Sequence, residues 1–451
     1  MRFNTEAEAI TYVFRSLRKL RGVDRGLDED WRDVTPTRRL LAAGGLPGVS
    51  REYAVVTGSK GKGSTAVITA KLLQHLGHTV GLITSPHLVT WRERIRVNGR
   101  AIPESDLVRI LSDLAPEIDA IEATLSDDRY FSPQGIFLAL ALRWFDEQGA
   151  GAAVIEVGRG GRFDDMVVVP NHLSLFAPIM LEHTHYLGST LGRIAWHKAG
   201  IIKPESQAIS VPQASEVAMT LRQEADRQGA ELDWITPEQA RYAGQAENGI
   251  RLNIDPYGEM ALSLLGRYQV VNAALAVRAA AAMHRRLGGV DSHSQGFAAR
   301  IRTGLADVTW PGRCQRLQDA PAVYLDGAIN SESARLLVES LDGRLNQPVI
   351  SVIAVPDDKD YAGVYAALGE VSQGLILTET ERNPILHFPD RDVAINVARQ
   401  HNANVTYEVT LAAAVERALQ QAGEEGMVLI VGTQSILADA TLLWGYAYLQ
   451  I

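Results

Sequence analysis

The chain contains one cysteine, Cys314, in 451 residues. That count excludes an intramolecular disulfide and any cysteine-rich metal site, and Cys314 reads as a small buried hydrophobe. No uninterrupted apolar run approaches the roughly 18 residues that a membrane span requires. The first twenty residues mix charge with apolar side chains. They lack the compact apolar core and small-residue cleavage site of a secretion signal, so a cytoplasmic location is expected. There is no internal repeat and no low-complexity tract. Lysine is scarce: seven, at positions 19, 60, 62, 71, 198, 203 and 359, among 44 Lys and Arg together. Several of them stand in glycine-rich or motif-like settings. A compact or chemically modifiable amine at such sites is something arginine does not supply.

What is present is the composition of a globular protein. Hydrophobic residues make up 46% and charged residues 22%, which excludes a disordered or collagen-like chain. The length suggests two or three domains. A net charge of -9 argues against a general nucleic-acid binder.

Apolar, β-rich runs alternate with helical stretches. A strand at 53–58, a glycine loop, a helix at 64–77 and a strand at 79–85 form a βαβ unit. Further strands are expected at 151–158, 172–179 and 206–211, and helices at 105–120, 133–148, 189–200 and 214–228. Short antiparallel strands are expected within 229–262, and a helix over 272–288 that ends at glycine. A second α/β pattern starts near 310, with strands at 322–327, 348–355, 374–380, 404–409 and 426–432. Helices fill the gaps between them. The expected class is α/β with two domains, each a parallel sheet covered by helices: a P-loop-type domain over 1–305 and a Rossmann-like domain over 306–451.

The segment Gly58-Ser59-Lys60-Gly61-Lys62-Gly63-Ser64 follows a strand and opens a helix. Glycines let backbone N–H groups turn inward around phosphate oxygens, and the helix N-terminus adds partial positive charge. Lys62 is suited to charge between the β- and γ-phosphates, and the Ser64 hydroxyl to a bound Mg²⁺. The spacing is shorter than G-x-x-x-x-G-K-[ST], with a glycine between Lys62 and Ser64. The competing reading is a glycine-rich turn with no ligand. The chain has no guanine-selecting N-K-x-D.

This loop resembles that of the Mur ligase superfamily, and most closely its folylpolyglutamate synthase/dihydrofolate synthase branch. The similarity runs from about residue 35 to residue 440. Thr84-Ser85-Pro86-His87-Leu88 and Arg92 to Gly99 resemble the family's substrate loop. Glu156-Val157-Gly158-Arg159-Gly160-Gly161-Arg162 resembles its acidic metal-ligand motif, and His183-Thr184-His185-Tyr186-Leu187-Gly188 its histidine motif. Ala195 to Pro204 matches its modified-lysine motif. Gly266 to Ala273 resembles its adenine-contacting segment. Trp310-Pro311-Gly312-Arg313 and Leu325-Asp326-Gly327-Ala328 resemble its interdomain ATP contacts, and Asp358-Lys359-Asp360 a motif of its C-terminal domain.

The resemblance implies an ATP-dependent carboxylate–amine ligase that works through an acyl phosphate. It implies catalytic roles for Lys62, Glu156, His183, Lys198 and Arg313. The nucleotide contacts it implies are the loop from Gly58 to Ser64, with Gln269, Asn272, Arg313 and Asp326. Two Mg²⁺ sites would draw on Ser64, Ser85, Glu156, His183 and a carbamylated Lys198. Pro86, His87 and Arg94 would contact substrate. The partners it implies are a small acid and an amino acid, in a monomer or weak oligomer with no nucleic acid and no membrane.

The sequence departs from the family pattern at substrate-facing positions. Ile329 replaces a histidine, Tyr268 another, and Glu182 an aspartate; Lys60 replaces an asparagine in the glycine loop. Asp165-Met166-Val167 stands where an asparagine is usual, and Ser132-Pro133-Gln134-Gly135 where Phe-Glu is usual. A pteroate- or folate-type acid joined to glutamate is the default reading. A Mur-type ligase for another acid and amino acid, and a nucleotide-binding regulatory subunit without turnover, stay open.

Overall fold

The computed structural model describes residues 2–289, 292, 294–345, 347–380, 382–383 and 385–451. The first lobe is built on eight strands: β1 (Glu52–Thr57), β2 (Val80–Ile83), β3 (Ile95–Val97), β4 (Arg100–Ala101), β5 (Ala152–Glu156), β6 (Leu173–Phe176), β7 (Gln207–Ser210) and β8 (Glu231–Trp234). Their order across the sheet is β4-β3-β2-β5-β1-β6-β7-β8. A three-stranded antiparallel sheet follows, from β9 (Ala240–Ala246), β10 (Gly249–Ile254) and β11 (Gly258–Leu262). The second lobe holds β12 (Gln315–Gln318), β13 (Ala322–Asp326), β14 (Val349–Ala354), β15 (Gly374–Leu377), β16 (Val405–Tyr407) and β17 (Met427–Gly432), ordered β12-β13-β17-β14-β15-β16.

The cores of both large sheets are parallel, as the alternating pattern predicts. Their edges are not: β3 and β4 run antiparallel beside β2, and β12 runs antiparallel beside β13. These edge strands are short and carry arginine and glutamine, so they give little periodic signal in sequence. The antiparallel hairpin of β10 and β11 lies where the sequence places it.

Near-continuous apolar runs form the central strands because helices cover both faces. Along β1, Tyr53 and Val55 enter one apolar cluster, while Ala54 and Val56 enter the cluster on the opposite face. Along β17, Met427, Leu429 and Val431 alternate in the same way with Val428 and Ile430. Cys314 is buried and unpaired. Among the described residues no helix is long and apolar enough to cross a membrane.

Parallel strands deliver their carboxyl ends to one rim of the sheet, where ligands of open α/β folds bind. In the first lobe that rim carries the loop after β1, the turn after β2, Glu156 at the end of β5 and the segment after β6.

Candidate active site

The loop after β1 closes onto the helix Lys62–His75. Gly61 caps that helix with φ +81°, and a Cβ there would lie 2.3 Å from Asn272 Oδ1. Only glycine fits both the left-handed backbone and the contact. The N–H of Ser59 donates to Pro178 O at 2.7 Å, so the protein itself uses that donor. The donors of Gly61 through Ser64 belong to the cap and first turn of the helix, where no intrahelical acceptor precedes them. Ser64 is buried among them while Lys60 is exposed.

Two lysines converge on one carbonyl. Lys62 Nζ donates to Gly58 O at 2.9 Å and Lys198 Nζ to the same oxygen at 2.8 Å. Lys198, on the helix Leu191–Ala199, is 1% exposed and also bonds Glu182 Oε1 at 3.1 Å. Burial, and then the charge of Lys62, push the Lys198 ammonium down to about 8. Glu182 is shifted down: Lys198 and Lys62 outweigh its desolvation. His183 follows in a left-handed conformation, φ 50°. Its side chain is exposed, with Glu182, Arg159, Lys198 and Lys62 as its charged neighbours. Desolvation, opposed by Glu182, lowers its pKa.

Glu156 ends β5 and is buried. Its Oε2 accepts from the Ser85 N–H at 2.9 Å. Burial raises its pKa; Lys62, Arg313 and Arg94 oppose that shift. The cleft over it is lined by Gly63, the turn 84–88, Glu93, Arg96 and Glu156 from the first lobe, and by Trp310, Pro311, Arg313 and Gln434 from the second. In the turn, Arg94 Nε donates to His87 Nδ1 at 3.1 Å; the Arg94 guanidinium lies over the Trp91 ring, and the His87 ring meets Trp91 at a tilt. Desolvation and the charges of Arg94 and Arg382 hold His87 down at about 3, so it is neutral and accepts.

Gln269 and Asn272 are buried at the start of the helix Gln269–Arg286. Asn272 Nδ2 donates to Gln269 Oε1 at 2.9 Å, which leaves Gln269 Nε2 without a partner. Arg313 Nη1 donates to Gly312 O. Asp326 accepts from the Cys314 N–H at 2.7 Å, and burial raises it to about 6 against the pull of Arg313. Ile329 lies against the apolar core of the second lobe.

The fold thus gathers Lys198, Glu182 and His183 about the glycine loop, and Ser85, Arg94 and Arg313 about Glu156, with the charge of Lys62 acting on both groups. Two family models match this chain: the Mur ligase middle domain over residues 56–280, and the Mur ligase glutamate ligase domain over residues 312–434. The dihydrofolate synthase/folylpolyglutamate synthase of Bacillus subtilis (strain 168) is 32% identical over 352 residues, covering 75% of this chain and 79% of that protein. The chain belongs to the folylpolyglutamate synthase family of Mur ligases. The Mycobacterium tuberculosis member is 30% identical over 380 residues, 79% of this chain and 77% of that one. The crystal structure of M. tuberculosis folylpolyglutamate synthase complexed with ADP and AMPPCP superposes with a TM-score of 0.81 at 26% identity, over 97% of this chain and 99% of that chain. Chains of this family are ATP-dependent, ADP-forming amide ligases, and this chain is a ligase by membership.

Motif reading does not mark Gln434, which lines the cleft. Glu93, Arg96, Trp310 and Glu182 fall within the motif segments but carry no assigned role there; Glu93, Arg96 and Trp310 line the cleft, and Glu182 holds Lys198. The burial that sets Glu93 and Arg96 apart is not visible in sequence.

Proposed function

We propose that this ligase joins glutamate to a folate- or pteroate-type acid at the expense of ATP, through an acyl phosphate. The observation that carries the reading is the cleft itself. It brings Gly63, Glu156 and Ser85 of one lobe up against Arg313 of the other, with Lys62, Lys198 and Glu182 at the adjoining glycine loop. A carboxylate is a poor electrophile at neutral pH, so it takes the γ-phosphoryl group first, and the amine then displaces phosphate. Both steps need concentrated positive charge around transferring oxygens.

The residues divide that work. The first-turn amides from Gly61 to Ser64 and the Lys62 ammonium, released from Gly58 O, take the phosphates. Gln269, with an unpartnered buried amide, and Asn272 face the base; Asp326 takes a nucleotide hydroxyl or amine. Arg313 approaches the γ-phosphate as the two domains, 1–305 and 306–451, close. Ser85, Pro86, His87 and Arg94 hold the acid. The donor set also suits Mg²⁺: a buried carboxylate with one oxygen engaged, two serines and phosphate oxygens are hard ligands. The described residues hold no cluster of three His, Cys, Asp or Glu side chains fit for a metal, so ligands of other kinds must complete each site. Ser64, Ser85 and Glu156 would hold one ion, and His183 with a carbamylated Lys198 a second; bound there, they neutralise the phosphates. With the Lys198 pKa at about 8, roughly a tenth of the amine is neutral at pH 7, the form that adds CO₂.

Ile329, apolar and half-buried against the core, favours one second reading: the same chemistry on another acid and another amino acid. The unpaired Cys314 accords with work in the cytoplasm, as a monomer or weak oligomer without nucleic acid. The test is ligation read by mass spectrometry, with pteroate, folate and other small acids offered against the twenty amino acids. ATP-dependent product from folate-type acid and glutamate is expected. Product only from a different pair would replace this substrate reading with the second one.

A further inference from the structure

The chain crosses between its lobes twice. It leaves the first lobe after the helix Gln295–Ala306 and returns after the helix Gln434–Leu443. The returning stretch forms an extra rung on the free edge of the eight-stranded sheet. The Ala101 N–H donates to Leu449 O at 2.7 Å, the Ile451 N–H donates to Gly99 O at 3.1 Å, and Arg100 pairs antiparallel with Gln450. Gly99 has φ +75°, and a Cβ there would stand 2.1 Å from Ile451 O, so this docking requires glycine. Ile451 is buried in the apolar cluster of the first lobe. Lys71, on the helix that opens at the glycine loop, reaches both crossings: Asp307 Oδ2 at 3.3 Å and Ile451 O at 3.2 Å.

Arg96 connects this docking to the cleft. It is 1% exposed. Its Nη2 donates to Tyr448 O at 2.7 Å and its Nη1 to Gly99 O at 3.1 Å, while Nε has no partner. A buried guanidinium is costly without a counter-charge; the buried carboxylate of Glu93 lines the same small cleft and offsets that charge without a direct ion pair. Glu93 in turn gathers three backbone N–H groups: Leu88 at 3.1 Å, Val89 at 2.8 Å and Thr90 at 2.8 Å. Leu88, half-buried, then packs against the core of the second lobe. The loop between Ser85 and Arg94 is thereby referenced to the second lobe from both sides. One link is the Leu88 side chain. The other runs from Tyr448 through Arg96 and Glu93 to the loop amides.

We propose that Arg96 is a positioning residue for the loop 85–94, held in register by the segment Tyr448–Ile451, so that the second lobe's returning segment sets how the acid is seated. The inference rests on the reading above that this loop holds the acid. Arg96 lines the cleft, and the role proposed for it runs through the charge of Glu93, the carboxylate that gathers the loop amides.

The test uses the full chain with Arg96→Met, Arg96→Lys and Gly99→Ala. The first readout needs no substrate: hydrogen exchange at the amides of Leu88, Val89 and Thr90. Arg96→Met is expected to speed their exchange about tenfold or more and to leave the helix Gln269–Arg286 unchanged. Gly99→Ala, acting from the other side of the contact, is expected to move the same amides. Arg96→Lys, which keeps the charge, is expected to recover most of the protection. The second readout is kinetic: in Arg96→Met the KM for the acid rises about tenfold, while kcat and the KM for ATP stay within about twofold. Unchanged exchange in both Arg96→Met and Gly99→Ala overturns the proposal, whatever the substrate. Faster exchange with an unchanged acid KM, or an equal loss in every kinetic constant, overturns it too. A wild-type enzyme inert toward folate-type acids refutes the substrate reading instead, and the exchange result still decides the role of Arg96.

Discussion

Lys198 is a buried cation maintained at a cost to the fold, and Lys198→Met is expected to stabilise the protein while abolishing ligation. The ammonium is 1% exposed, and its pKa falls from 10.5 to about 8 because burial outweighs its bond to Glu182. The unfolded chain therefore binds the proton more tightly between pH 8 and 10.5. Below about pH 8 both states are protonated and the whole penalty is present. As pH rises from 8 to 10.5 the penalty is relieved and stability increases. A shift of that size corresponds to a ceiling of about 3 kcal/mol. Methionine fills the same volume without charge, but it leaves Glu182 with Lys62 as its remaining cation, so a net gain of about 1–2 kcal/mol is expected. Urea unfolding of wild type and variant, in carbonate-free buffer at pH 7 and pH 10, reads this directly. The variant should be the more stable at pH 7, and the gap should narrow at pH 10. A variant less stable than wild type at pH 7, or a gap that ignores pH, refutes the reasoning.

Lys62→Ala should lower ATP turnover at least about a hundredfold with the fold intact, because the side-chain bond lost is the one to Gly58 O; circular dichroism and an ADP-release assay check both halves. Gly61→Ala forces a Cβ into φ +81° and against Asn272. It should cost about 1–2 kcal/mol of stability and raise the KM for ATP, read by thermal melts and steady-state kinetics. Glu156→Gln removes the buried carboxylate at the end of β5 and should shift the Mg²⁺ dependence of turnover upward by about tenfold or more; an unchanged Mg²⁺ titration would remove Glu156 from the metal site. Lys198→Ala should lose activity that returns in part with short added carboxylates, and full activity without them would show that no carbamate is needed.

The glycine loop, the strand before it and Glu156 were legible in sequence because local rules fix them: apolar runs make strands, and a glycine run between strand and helix makes an anion loop. The scarcity of lysine was also informative. Lys71 and Lys198 are buried, and Lys203, which donates to Val167 O, is lowered to about 8 by desolvation. Lys60 stays exposed. What sequence did not reveal depends on long-range pairing. Arg96 meets Tyr448 across 352 positions; Arg96 falls in the motif from Arg92 to Gly99, but no local pattern marks its partner. The strand β3 sits inside a stretch that the motif resemblance reads as a loop, and β4 follows directly after it. The helices before residue 45 carry few periodic apolar residues and pack only through tertiary contacts.

The claim beneath all of this is that the cleft phosphorylates the acid before the amine arrives. Acid labelled with oxygen-18 in its carboxylate tests it most directly. The account predicts that each phosphate released with ADP carries one labelled oxygen from the acid. Unlabelled phosphate, formed alongside an authentic amide product, would contradict it.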